Sequence, residues 1–109
     1  MASEAVLAEL RAICAGAQPL TDGPYEFIHL PGLRIQTNGT TVVRDGLLCM
    51  KEHSGYATRL FLAEPIPGKG QNWTMHTIVG RQWHTPSWSN VTADLPAREI
   101  LACHLRAYR

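Results

Sequence analysis

The chain has 109 residues, ten Lys or Arg against nine Asp or Glu, and a formal net charge of +1. That is the length of one ordinary domain, residues 1–109, and an apolar fraction of 45% can build a core without staples. Interspersed charges with no basic patch exclude the electrostatic footprint of a nucleic-acid binder, and no apolar run is long enough to span a bilayer as a helix.

Glu4 and Glu9 interrupt an alanine-rich N-terminus that lacks a basic leader, so a cytoplasmic location is expected. Cys14, Cys49 and Cys103 cannot all pair within one chain and read as reduced thiols in that compartment. Residues 3–15 are predicted as a helix with Ser3 as N-cap and Gly16 as its stop. Val6, Leu10, Ile13, Cys14 and Ala17 form its apolar stripe, which makes Cys14 a small buried hydrophobe.

Residues 19–24 read as a loop and residues 25–30 as a strand closed by Pro31 and Gly32. Residues 33–36 alternate apolar and polar. Asn38-Gly39 is a strong hairpin signal, because both residues tolerate positive φ. Residues 40–44 read as the return strand, and Asp45-Gly46 offers another turn. Residues 47–52 and 56–63 are predicted as the next hairpin, around residues 53–55. Residues 65–71 read as a Pro/Gly-rich loop, 73–79 as a strand and 80–93 as irregular. A last helix starts at Asp94 or Leu95, with Pro96 in its first turn. Ala97, Ile100, Leu101, Leu105 and Tyr108 share one face of it. The expected fold is α+β: an antiparallel β-meander flanked by N- and C-terminal helices.

The chemistry concentrates in Cys49, Glu52 and His53, followed by His76 and His84. Thiolate, carboxylate and imidazole are zinc ligands, and they must lie about 2.0 to 2.3 Å from one ion. On one flat strand Cys49 and His53 would be about 13 Å apart, at roughly 3.4 Å per residue. Sharing an ion therefore needs Glu52 and His53 to fold back in a turn closed by Gly55, or a short helix over residues 46–53. The turn is preferred, because Gly46 and Gly55 bound a segment short enough for a hairpin arm. A three-residue loop over residues 79–81 would set His76 opposite His84. A two-residue loop at Gly80-Arg81 would send them to opposite faces.

Packing competes with ligation at each position. Cys49 is also a core residue of an apolar strand, Glu52 a solvated charge and His53 a turn residue. His76 and His84 could line an aromatic patch with Trp73, Trp83 and Trp88. No Cys-x-x-Cys pair and no metalloprotease helix motif is present. Cys103 and His104 are neighbours on the last helix, so their side chains diverge. His29 has no nameable partner, Gly68-Lys69-Gly70 reads as a flexible turn, and Ser87 belongs to no triad pattern.

The segments CMKEHSGYATRLFL, NWTMHTIVGRQWHTPSWSNV and EILACHLRAYR resemble a small bacterial family, the CEHH domain, a metal-binding domain named for its Cys, Glu, His and His residues. The resemblance covers roughly residues 47–109. It implies a gene neighbourhood of bacterial ubiquitin-like proteins, their activating and conjugating enzymes, and JAB-type peptidases. Cys49, Glu52 and His53 match the start of its pattern, and His76 or His84 its end. The order of elements, with GRQWHTPSW, also resembles a bacterial branch of the ubiquitin-conjugating-enzyme superfamily. This chain departs from that branch in having no cysteine between Ala63 and Leu101, where the thioester nucleophile belongs.

These likenesses imply a small zinc-binding accessory protein of a bacterial ubiquitin-like modification system, without catalytic residues of its own. A partner is expected in the ubiquitin-like protein or its conjugation enzymes, and neither nucleic acid nor membrane is expected as one. Two alternatives are a metal-free, catalytically inactive conjugating-enzyme-like module that presents its tryptophan loop to a partner, and a hydrolase using metal-bound water.

Overall fold

A computed structural model describes residues 4–50, 56–66, 73–86 and 91–108. Helix α1 (Glu4–Arg11) precedes strands β1 (Gln18–Asp22), β2 (Tyr25–Thr37), β3 (Thr40–Cys49), β4 (Arg59–Leu62), β5 (Trp73–Ile78) and β6 (Arg81–Pro86). Helix α2 (Ala97–Leu105) follows and ends in a single 3-10 turn, Arg106–Tyr108. The α+β expectation holds. The six strands form one antiparallel sheet in the order β1-β2-β3-β4-β6-β5. The first four strands follow a meander. The final hairpin is inserted the other way round, so β6 rather than β5 pairs with β4.

The helices are shorter or later than expected. The first ends at Arg11 and buries Leu7 as well as Leu10, while Ile13 is exposed. Cys14 is buried as expected, its thiol 3.2 Å from the Pro31 carbonyl. The second helix begins at Ala97 with Pro96 as its N-cap, and buries Ala97, Ile100 and Leu101. No helix among the described residues is long and apolar enough to cross a membrane.

The strands are longer. Residues 18–22 form β1, where 19–24 were expected as loop, and the chain turns at Gly23 and Pro24 into β2. Residues 31–32 do not close a strand: β2 runs through them, with a register shift between Leu30 and Leu33. A one-residue slip exchanges the two faces of a strand. This bulge therefore keeps Leu33 and Ile35 on the same face as Ile28 and Leu30, and all four are buried in one cluster. Gly32 takes a φ of +65°, and its N–H, lying in the bulge, donates to Asp45 Oδ1 at 2.9 Å. The Asp45-Gly46 pair, read as a turn, lies inside β3 for that reason. Residues 81–86, read as irregular, form β6.

Both faces of the sheet are covered. One face lies under the helices, with Leu30, Leu48, Leu60 and Leu62 packed against Leu10, Ile100 and Leu101. The other carries Phe27, Leu47, Cys49, Phe61, Ile78 and Trp83. The sheet curls around this second face. Although β1 and β5 are the two edges of the sheet, the Val79 N–H at the tip of the last hairpin donates to Asp22 Oδ2 on β1, at 2.9 Å. Because both faces are covered, β4 is buried at all four residues, and Leu47-Leu48-Cys49 is a continuous apolar run rather than an alternating one.

Candidate functional site

The hairpin register decides how the histidines are arranged. Val79 and Gly80, with φ of +50° and +72°, form a two-residue turn, one residue earlier than the Gly80-Arg81 loop and one residue shorter than the 79–81 loop considered from the sequence. It pairs His76 with Trp83 and Met75 with His84. His76 and His84 therefore project from opposite faces. His84 also lies opposite Leu62 on β4, which places it on the helix-covered face. His76 is on the concave face with Trp83.

Cys49 ends β3 opposite Arg59 and is sealed at 1% exposure among Phe27, Leu47, Phe61, Ile78 and Trp83. It shares the concave face with His76, while His84 lies across the sheet. Glu52 and His53 lie outside the described residues. Among the described residues no three His, Cys, Asp or Glu side chains form a group that could hold a metal ion. A five-residue ligand set including both His76 and His84 is therefore not what the sheet builds. The concave face is also a poor setting for a cation, because it already carries the positive charge of Arg59.

His76 Nε2 lies 3.1 Å from Thr74 Oγ1, and its ring meets Phe61 edge-on at 5.5 Å. Burial, and then the charge of Arg59, hold its pKa below the usual histidine value. His76, Phe27 and Ile78 also line a cleft of about 300 Å³ between β5 and the β1–β2 turn, closed on its other side by Asp22 and Tyr25. On the same face His29 meets Trp83 edge-on at 6.1 Å. Arg81 stacks on Trp83 at 4.6 Å and reaches Asp45 at 3.4 Å. The Gly32 N–H, ahead of Arg81, holds the Asp45 carboxyl below its usual range.

The sequence reading missed Arg59. It is only 4% exposed, although it is charged. Its guanidinium lies 4.0 Å over the Tyr56 ring and 6.0 Å from that of Phe61. Its Nε is buried without a hydrogen-bond partner. Burial lowers its pKa from the usual arginine value. The only available sequence signal was the arginine's place in an otherwise apolar strand, RLFL.

His104 was also underread. It is 3% exposed, and its Nε2 lies 2.9 Å from Thr58 Oγ1. The Thr58 hydroxyl donates its single proton to the Val91 carbonyl at 2.8 Å. The hydroxyl can then only accept from His104, which fixes the Nε2–H tautomer. Burial, and secondarily Arg59, push the His104 pKa down to about 4. This is a neutral, structural imidazole that ties α2 to the start of β4.

The tryptophans do not form an exposed loop among the described residues. Trp83 is 2% exposed, and Trp73 is partly buried and stacked on Tyr108 at 6.0 Å. Trp88 lies outside the described residues. Comparison with protein-family models, curated proteins and solved structures found no match to this chain.

Proposed function

We propose that the chain is a binding module, without catalysis of its own, that serves as an accessory to a bacterial ubiquitin-like modification system. The resemblance over residues 47–109 supplies the setting. The observation that carries the binding role is the separation of the reactive groups by the sheet. Cys49 and His76 lie on one face, His84 is on the other, and His104 is committed to Thr58. A helix, a meander and a closing helix support a conjugating-enzyme-like ancestry. The lack of a cysteine between Ala63 and Leu101 supports an inactive descendant.

Titration calorimetry of the purified, metal-free chain against the ubiquitin-like protein and the conjugating enzyme of such a system tests this reading. Micromolar binding to one of them is expected. Absence of binding to every component would end the reading.

A second reading keeps zinc, because Cys49 and His76 do share a face. Its ligands would be Cys49, Glu52, His53 and His76, with His84 excluded, and the ion would be structural. Near one zinc per chain by elemental analysis, lost in a Cys49→Ala/His76→Ala double variant, would favour it.

A further inference from the structure

The concave face holds one buried charge that the described residues do not answer. Arg59 stands on β4 opposite Cys49, with 4% of its surface exposed and Nε unpartnered. Its described neighbours are the rings of Tyr56 and Phe61. The two described carboxylates nearest this face are engaged elsewhere: Asp22 accepts from the Val79 N–H, and Asp45 accepts from Gly32 and Arg81. The other described ion pair joins Arg98 to Glu9 on the helices. Removing a guanidinium from water is costly unless an anion and hydrogen bonds replace the solvent.

We propose that Arg59, floored by Tyr56, is the anchor of a binding site for a carboxylate group entering the concave face beside His76. The planar guanidinium presents parallel N–H donors that match the two oxygens of a carboxylate. The stacked Tyr56 ring holds that plane in one orientation. The charge count favours a monoanion. Arg59 contributes one permanent positive charge, and His104, its neighbour through the sheet, is neutral at pH 7. A phosphate monoester, with a charge of about −1.5 to −2, would leave negative charge unmatched in an apolar setting. The carboxylate could come from a small organic acid or from the C-terminus of a peptide. The site is independent of the proposed partner system.

The test uses the whole chain, with thermal unfolding and amide chemical shifts as readouts. The probes are sodium acetate, an acetylated tripeptide with a free C-terminus, the same tripeptide amidated, and inorganic phosphate, with sodium chloride at equal ionic strength as the control. Acetate is expected to raise Tm by several degrees and to shift the amides of Tyr56, Arg59 and Phe61. Arg59→Met is expected to lose both effects, and Arg59→Lys, which keeps the charge without the fork, to weaken binding about tenfold. A free-acid tripeptide that binds about tenfold tighter than acetate, with its amide silent, would assign the source as a peptide terminus. Equal affinity for the two acids would assign a small acid.

Four results would each overturn the proposal: no effect beyond the chloride control, an equal effect in Arg59→Met, tighter binding of phosphate than of acetate, or an effect that emerges only in Glu52→Gln. The last would mean that the chain's own carboxylate already occupies Arg59.

Discussion

The two faces of the sheet solve different problems. The helix-covered face is an apolar seal. Eighteen described residues, drawn from both helices, three strands and the segments that join them, form its core; within it the Thr58 hydroxyl joins the His104 imidazole to the Val91 carbonyl. The concave face has six described residues in its core, rimmed by His29, His76, Arg59 and Arg81. Stability therefore resides mainly under the helices. The groups able to meet a ligand were left on the side where the sheet curls on itself.

The largest expected effect is on the sealed face. Leu101→Ala, at a position with no exposed surface, should cost about 2 to 5 kcal/mol in urea unfolding. It should leave any carboxylate response of the surviving folded protein unchanged. A loss below about 1 kcal/mol would show that the helices do not seal the core.

The same face should carry the acid sensitivity. His104 has a pKa of about 4 when folded against 6.5 as an ordinary imidazole. The unfolded chain therefore binds more protons between those values, and stability should fall as pH drops from 6.5 to 4. The full difference is on the order of 3 kcal/mol, at about 1.4 kcal/mol per pH unit. His104→Gln retains an amide donor for Thr58 and should flatten that part of the pH profile. An unchanged profile would place the sensitivity elsewhere.

On the concave face Arg59→Met should behave in the opposite way to a core truncation. Replacing an uncompensated buried charge by an apolar side chain of similar length is expected to be neutral, or stabilising by about 1 kcal/mol. A loss of about 3 kcal/mol or more would reveal a paired arginine and remove the contrast between the faces. The smallest effect belongs to the latch between the sheet edges. Val79 is β-branched at a φ of +50°, which is a strained combination. Val79→Asn places Asn-Gly in that turn and should raise stability by about 0.5 to 1 kcal/mol. A drop in Tm would mean that the Val79 side chain contributes more to the latch than the turn loses in strain.

Much of the helix-covered face was legible beforehand. Ala97, Ile100, Leu101 and Tyr108 share one helical stripe, and Cys14 packs as a small apolar side chain, because amphipathic periodicity is a local property. The concave face was less so. Residues 18–22 lacked a strand pattern because they form an edge of mixed exposure, and residues 81–86 alternate too weakly around Trp83. Arg59 drew no reading, since its single local mark was the apolar run Leu60-Phe61-Leu62 that follows it, and a charge at the head of such a run is ordinarily solvated.

The α+β class, the Asn38-Gly39 hairpin and the terminal helix followed from residue chemistry acting over a few positions. The side of the sheet on which each histidine stands did not. It depended on whether the last hairpin turned on two residues or on three, and strand parity converts one residue into a change of face. The bulge at residues 31–32 works by the same parity, and so does the seat of Arg59 opposite Cys49. Register and curl are set by long-range pairing and by which surfaces become covered, so only the tertiary structure could decide which reactive groups meet.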